Sequence, residues 1–232
     1  MRLDKLLANK AFGSRKDVHQ IIRDGRVTVN GAVILKKDQS IDIDDDIIAV
    51  DGVQISTKQQ YYIKFHKPAG YITAVEDPTH PVVMDLLPPE FKKMGVFPVG
   101  RLDKDTEGLL LLTNDGIWAH SIINGHKHVP KVYYVEFNGK LTKEGIERIE
   151  TGIVLGDGTQ CKPAKIDVIS EHSLHIIIEE GKYHQVKRMI GVAGGEVTYL
   201  KRLSIGHITL NGIEAINTYS EIDDQDVVDF KK

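Results

Sequence analysis

Four consecutive leucines, Leu109-Leu110-Leu111-Leu112, separate the charged loop Gly100-Arg101-Leu102-Asp103-Lys104-Asp105-Thr106-Glu107-Gly108 from the turn Asn114-Asp115-Gly116. No run of apolar side chains in the chain is longer. It falls far short of the roughly 18 residues needed to cross a bilayer. A short, unbroken apolar run bounded by turn residues reads instead as a strand buried on both faces. The fold must therefore set a central strand directly behind a loop that carries three carboxylates.

Short β-prone runs and tight turns dominate the rest. Leu3, Leu6 and Leu7 stand at helical spacing, with Gly13 as the expected stop. Ser14-Arg15-Lys16-Asp17 resembles a capping box for a second helix, with Val18, Ile21 and Ile22 on its inner face and Gly25 at its end. Asn30-Gly31 and Asp51-Gly52, each between β-prone runs, predict two-residue hairpin turns. Residues 56–60 are polar and unpatterned and read as a linker. Tyr61 opens a strand that runs into the turn Lys67-Pro68-Ala69-Gly70, and Phe97-Pro98-Val99 leads into the charged loop. Residues 131–138 read as a strand. Residues 142–151 read as a helix with Ile146 and Ile149 inward, stopped by Gly152. Residues 184–193 form a short helix with Val186, Met189 and Ile190 as its core face, and residues 205–210 complete the sheet. Helices this few and irregular among so many strands predict an α+β fold with a mixed, largely antiparallel sheet. The expected domains are residues 1–57 and 61–232, joined by a linker at 58–60.

The net charge of −3 is at odds with a polyanionic partner until its distribution is considered. Residues 1–37 hold nine Lys/Arg against three Asp, a net of +6. A segregated basic patch steers a polyanion more than the total charge does. Arg2, Lys5, Lys10, Arg15, Lys16, Arg23 and Arg26 cluster there, and the helix start capped at Ser14 adds backbone N–H donors. The alternative is a solvated face on a small domain. The N-terminus mixes charges and has no apolar core, so no signal peptide is expected, and Cys161, the one cysteine, rules out a disulfide framework. A cytoplasmic protein is expected, with no membrane partner. No dimerisation element is evident, so a monomer is the expectation.

Three motifs carry the chemistry. In the charged loop, Asp103-x-Asp105-x-Glu107-Gly108 opens like a calcium loop. The twelfth position, where an EF-hand needs a bidentate Glu, is Asn114, and the leucines that follow cannot wrap an ion. Asp105 and Thr106 suit a turn that caps its own backbone. Asp103, beside Arg101 at the mouth of a buried strand, suits a carboxylate kept ionised as nucleophile or base. In Lys131-Val132-Tyr133-Tyr134-Val135, Tyr133 is either a half-exposed strand residue or a ring that stacks on a base. Glu180-Gly181-Lys182-Tyr183-His184-Gln185-Val186-Lys187-Arg188-Met189 sets basic residues beside a helical core face. Six histidines between His120 and His184, His126 and His128 among them, match no zinc spacing and read as surface or RNA-contact residues. No metal site is expected.

The order helix, Gly-Ser-Arg-Lys, helix, then Asp24-Gly25-Arg26-Val27-Thr28-Val29-Asn30-Gly31 resembles the small α-L RNA-binding domain over about the first 57 residues. Gly100-Arg101-Leu102-Asp103-Lys104-Asp105-Thr106-Glu107-Gly108-Leu109 resembles the G-R-L-D-x-D-T-x-G-L signature of pseudouridine synthases in the RsuA and RluA branches. Lys67-Pro68-Ala69-Gly70 matches the K-P-x-G turn of that family, and the other two motifs match its second and third in order. The resemblance implies a catalytic domain with a central cleft. It implies that Asp103 is the catalytic aspartate, that Tyr133 stacks on the target base or assists a proton transfer, and that Lys187 pairs with the aspartate. Arg101 would contact RNA at the flipped-out base, with Lys67, Lys182 and Arg188 adding to the RNA-binding surface. Glu76-Asp77-Pro78-x-His80-Pro81 looks most like the RsuA branch. That branch modifies small-subunit ribosomal RNA, at the uridine conventionally numbered 516 in 16S RNA. The implied partner is ribosomal RNA or an assembling small subunit.

Uridine isomerisation breaks a glycosidic bond and rejoins the base through carbon with no redox change, so no cofactor is expected, and no nucleotide-binding signature is present. The base must leave its stack. Whether Asp103 attacks the sugar or abstracts a proton to form a glycal stays open. The rivals are a synthase acting on 23S RNA, a non-catalytic RNA-binding or ribosome-assembly factor, and a metal-dependent nuclease using Asp103 and Asp105. If the N-terminal charge supplies affinity, deleting residues 1–57 weakens RNA binding and flattens its dependence on salt in a filter-binding titration. An unchanged salt slope would place the affinity elsewhere.

Overall fold

Both dipeptide turns adopt the geometry their chemistry dictates. Asn30 and Gly31 take φ of 51° and 82°, Asp51 and Gly52 take 52° and 79°. Positive φ at both central positions gives the twist that joins antiparallel strands without splaying them. The computed structural model of the chain describes residues 1–124 and 127–230; His126 lies outside the described residues. Helices α1 (Leu3–Asn9) and α2 (Arg15–Arg23) pack on a sheet of β1 (Val27–Val29), β2 (Ala32–Val33), β3 (Ile48–Val50) and β4 (Val53–Ile55), in the antiparallel order β2-β1-β3-β4. Leu3, Leu6, Leu7, Val18, Ile22 and Val27 are fully buried in its core. The capping box is present: the Asp17 amide donates to Ser14 Oγ, and the Ser14 amide donates to the Asp17 carboxylate at 2.8 Å. The first helix ends at Asn9, before the expected stop at Gly13, and Ala11 already has φ 64°.

Packing divides the chain into two compact units. One comprises Met1–Tyr61 with Leu87–Val96, the other Tyr62–Leu86 with Phe97 onward. The segment Leu87–Val96, which holds α3 (Pro89–Lys93), lies within the span read from sequence as the second domain and packs with the first unit. The aromatic pair Tyr61 and Phe91, with centroids 6.2 Å apart, is one contact within that unit.

The second unit contains β5 (Tyr62–Lys67), a 3-10 turn at Val83–Leu86, β6 (Phe97–Val99), β7 (Glu107–Thr113), α4 (Gly116–Ile123), β8 (Lys131–Gly139) and α5 (Lys143–Thr151). β9 (Lys165–Ser170), β10 (Ser173–Ile178), α6 (Gln185–Val192), β11 (Gly195–Ile205), β12 (Ile208–Thr209), β13 (Tyr219–Glu221) and α7 (Asp224–Asp229) follow. Among the described residues the strands form a nine-stranded sheet of order β13-β5-β7-β11-β8-β10-β9, with β12 on β11 and β6 on β7. Leu109, Leu110, Leu111 and Leu112 are all fully buried, and β7 lies between β5 and β11 as the leucine run requires. Among the named strands every pairing is antiparallel except β7 with β11.

The end of the chain differs from the sequence reading. The hairpin of β11 and β12 turns at Gly206-His207; beyond the turn at Asn211-Gly212 the chain returns as β13 against β5, and α7 follows. Val227 and Phe230, three apart in an acidic stretch, dock on Trp118, whose indole N–H donates to Val227 O at 3.1 Å. No helix among the described residues is long and apolar enough to cross a membrane.

At the parallel junction Arg202 lies in register with Gly108, which has φ 107°. A Cβ on Gly108 would stand 2.2 Å from the Arg202 carbonyl oxygen and 2.6 Å from its amide nitrogen. Both atoms are backbone of a central strand and cannot swing aside. Gly108→Ala is therefore expected to lower stability by about 3 kcal/mol or more, read as a shift of the urea midpoint. A shift below about 1 kcal/mol would mean that the junction yields.

Candidate active site

The Asp103 loop is held from beneath. Lys67, at the end of β5, is fully buried, and the three N–H groups of its ammonium are shared among four carbonyls: Pro68 O at 2.9 Å, Asp103 O at 3.2 Å, Lys104 O at 3.3 Å and Thr106 O at 2.8 Å. Burial pulls its pKa down to about 8, while the charges of Asp105, Asp103 and Glu107 oppose the shift. The lysine stays protonated at neutral pH. This corrects the expectation that Lys67 binds RNA: its charged end is sealed beneath the loop. Two further ties act on the backbone. Thr73 Oγ1 donates to Leu102 O at 2.8 Å and accepts from the Leu102 amide at 3.1 Å, and the Gly70 amide donates to Lys104 O at 2.7 Å.

Above the loop stands α6. Its N-cap, His184, takes φ 47°, and its Nε2 lies 3.5 Å from Asp103 Oδ1. Lys187, one turn on, places Nζ 3.7 Å from Asp103 Oδ2 and 2.5 Å from Asp105 Oδ1. Sequence and structure thus agree on a lysine at Asp103. The ammonium bridges both carboxylates, however, and sits tighter on Asp105. Partial burial pushes the Asp105 carboxyl up, but the hydrogen bond and charge of Lys187 outweigh it and leave the group below its ordinary range. Asp103 itself is 27% exposed, reachable from solvent yet flanked by two basic side chains.

Tyr133 lies on β8 and is buried, not half-exposed as a surface strand tyrosine would be. Its hydroxyl accepts from Arg202 Nη1 at 3.4 Å. Arg101 is exposed beside Asp103. Lys182 and Arg188 are engaged with protein partners. Lys182 donates to Gln160 O and pairs with Glu180 at 3.3 Å; Arg188 pairs with Asp157 at 2.6 Å and donates to Tyr183 O at 3.3 Å. Phosphate contact by either requires those bonds to be exchanged.

In the first unit Lys5, Arg15, Lys16 and Arg23 are exposed. Arg2 pairs with Asp4 at 2.7 Å and Arg26 with Asp51 at 2.5 Å, so two of the expected phosphate-binding cations are partly neutralised by acids on their own unit. The Arg2 hydrogen bond holds the Asp4 carboxyl down at about 2. Lys10 turns inward to Lys58 O and the Tyr61 hydroxyl. The Ser14 hydroxyl and amide are both occupied by the capping box, so the helix start offers fewer N–H donors than its sequence suggests.

The reading from sequence missed His184 and Arg202. Among histidines that read as surface or RNA-contact residues, His184 is set apart by its place inside the third motif. Arg202 carried no local signal, because its partners are 69 and 93 positions away. Among the described residues no three His, Cys, Asp or Glu side chains stand close enough to share a metal ion.

Residues 61–191, more than half of the chain, match the family described as RNA pseudouridylate synthase. The chain belongs to that family. The synthase is thus an isomerase, and its first 47 residues match the S4 domain. A Bacillus subtilis (strain 168) protein named uncharacterized RNA pseudouridine synthase YtzG is 42% identical, over 98% of this chain and 97% of the relative. An Escherichia coli (strain K12) protein named ribosomal small subunit pseudouridine synthase A is 35% identical, over 98% of each chain. A crystal structure of pseudouridylate synthase aligns with a TM-score of 0.68 and 28% identity, over 99% of both chains. The fold and the activity read from the three motifs are those of this family.

The loop of the synthase rests on the buried Lys67 ammonium. Lys67→Met keeps the apolar stem and strands the carbonyls of Pro68 and Thr106, an expected loss of about 2–4 kcal/mol. Amide exchange at residues 103–106 should speed by at least about tenfold. Unchanged exchange would mean that Thr73 and Gly70 hold the loop without the lysine.

Proposed function

We propose that the synthase isomerises one uridine of 16S ribosomal RNA, at the position conventionally numbered 516, and that Asp103 is its catalytic residue. The observation that carries the assignment of Asp103 is its setting. The carboxylate is open to solvent on one side, lies 3.5 Å from His184 Nε2 and 3.7 Å from Lys187 Nζ, and rides on a loop anchored by a buried ammonium. Either role of the aspartate, attack on the sugar or proton abstraction on the way to a glycal, needs a carboxylate that the substrate can reach. Lys187 serves as counter-ion. Tyr133 meets the extruded base, by ring stacking or through its hydroxyl. Arg101, exposed in the same loop, contacts RNA at the flipped-out base. Lys5, Arg15, Lys16 and Arg23 track phosphates on the S4 unit.

The choice of the small subunit rests on full-length similarity to relatives named for it, one of them 32% identical over the whole of both chains. The substrate is naked 16S RNA or an assembling small subunit, met in the cytoplasm by a monomer. A synthase acting on 23S RNA would use the same catalytic groups.

The test incubates the purified chain, with EDTA present, with unmodified 16S RNA, 23S RNA and partly assembled subunits. Modified sites are mapped by carbodiimide labelling and primer extension. One new site in 16S RNA is expected, and Asp103→Asn should reduce its rate on the order of a thousandfold or more with RNA affinity retained. A site in 23S RNA would correct the substrate, and turnover near wild type in the variant would move the chemistry away from Asp103.

A further inference from the structure

Arg202 on β11 is only 3% exposed, and among the described residues it forms no ion pair. An unpaired buried guanidinium is a liability for stability. Its surroundings do not relieve it. Lys67 and Lys131 both sense its charge, and each is already pulled down to about 8, chiefly by its own burial. Nη2 of Arg202 has no partner among the described residues. The two bonds it does make run in different directions. Nε donates to Leu109 O at 2.7 Å, on the strand that emerges from the Asp103 loop. Nη1 donates to the Tyr133 hydroxyl at 3.4 Å, on the strand at the other side of β11, and the guanidinium carbon lies 6.0 Å from the centre of that ring.

We propose that Arg202 is a positioning residue for Tyr133: its guanidinium ties the tyrosine hydroxyl on β8 to the Leu109 carbonyl on β7 and so sets the tyrosine against the Asp103 loop. Two physical points support the assignment. Guanidinium is a donor with no acceptor capacity, so the Tyr133 oxygen accepts here and its own proton is left to be donated away from Arg202. Arg202 also stands in register with Gly108, where only a residue without a side chain lets β11 approach this closely. The tether is therefore short and is built into the backbone that leads out of the loop. Misplacement of a reacting group by about 1 Å can lower a rate by roughly a hundredfold, so a rigid tether of this kind has kinetic value that offsets the buried charge.

The inference rests on the reading of Tyr133 as the residue that meets the base, and a double-mutant cycle separates the two. Single-turnover rates and RNA affinity are measured for wild type, Arg202→Gln, Tyr133→Phe and the double variant, with thermal melting of each. Arg202→Gln is expected to slow turnover about thirtyfold or more in the tyrosine background and less than about threefold in the phenylalanine background, with RNA affinity held within about threefold. Equal losses in both backgrounds would overturn the positioning role and leave Arg202 a structural residue. Tyr133→Phe at the wild-type rate would instead show that the hydroxyl takes no part: ring stacking by Tyr133 would stand and the tether would fall. Arg202→Lys is the second variant: it retains the charge but lacks the planar fork whose Nε and Nη1 reach Leu109 O and the Tyr133 hydroxyl in different directions. It should fold and show the same selective loss. Full activity in Arg202→Lys, or failure of both Arg202 variants to fold, would also overturn the proposal.

Discussion

The two halves of the large sheet meet along one short parallel contact, where Lys201 and Arg202 lie in register with Glu107 and Gly108. On one side stand β13, β5 and β7, on the other β8, β10 and β9. The strands can close on each other only because residue 108 has no side chain and takes φ 107°. Much of the site depends on this contact. The Asp103 loop empties into β7, Tyr133 rides on β8, and β11 lies between them with α6 leading into it. A sheet otherwise built from antiparallel neighbours acquires a place where groups distant in sequence are carried by adjacent strands.

Charge is layered across that place. Below the loop, the Lys67 ammonium gathers four backbone carbonyls, which fixes the path of residues 103–106 without consuming any carboxylate. Above it, Lys187 bridges Asp103 and Asp105, and His184 approaches the other oxygen of Asp103. The neighbouring Asp105 has a role the sequence does not suggest. It holds Lys187 at 2.5 Å and keeps the ammonium near Asp103 without letting it close fully onto that carboxylate. A carboxylate in an ion pair that is oriented but not tightly closed remains available to react, whereas a short, fully desolvated pair would have to be broken first.

The N-terminal unit follows a different logic. Its charge excess is a property of the segment 1–37, and part of that charge turns back on the unit itself: Arg2 on Asp4, Arg26 on Asp51, Lys10 on Lys58 and Tyr61. The two exposed ion pairs, Arg2 with Asp4 and Arg26 with Asp51, contribute little to stability. The four lysines and arginines that stay exposed on α1 and α2 form the constant part of the electrostatic footprint.

Much was legible in the sequence because its causes are local. A dipeptide such as Asn30-Gly31 fixes its own turn, Ser14 and Asp17 cap the helix that follows them, and four leucines in a row have nowhere to go but a central strand. The Asp103 signature is likewise contiguous, so the family and its reaction could be read from ten residues. What the sequence left undecided are pairings across long separations. Lys67 looks like one more surface cation until the fold buries it under carbonyls 36 to 39 positions away. Val227 and Phe230 look like part of an acidic tail until Trp118 receives them. By itself, then, the sequence determined the turns, the buried central strand and the family, and singled out the aspartate proposed as catalytic. Only the tertiary structure decided which lysine is structural, which acid holds Lys187, and which arginine ties Tyr133 to the strand behind the loop. Turn and strand preferences act between neighbours in the chain, while burial and hydrogen-bond partnership exist only once distant segments have packed.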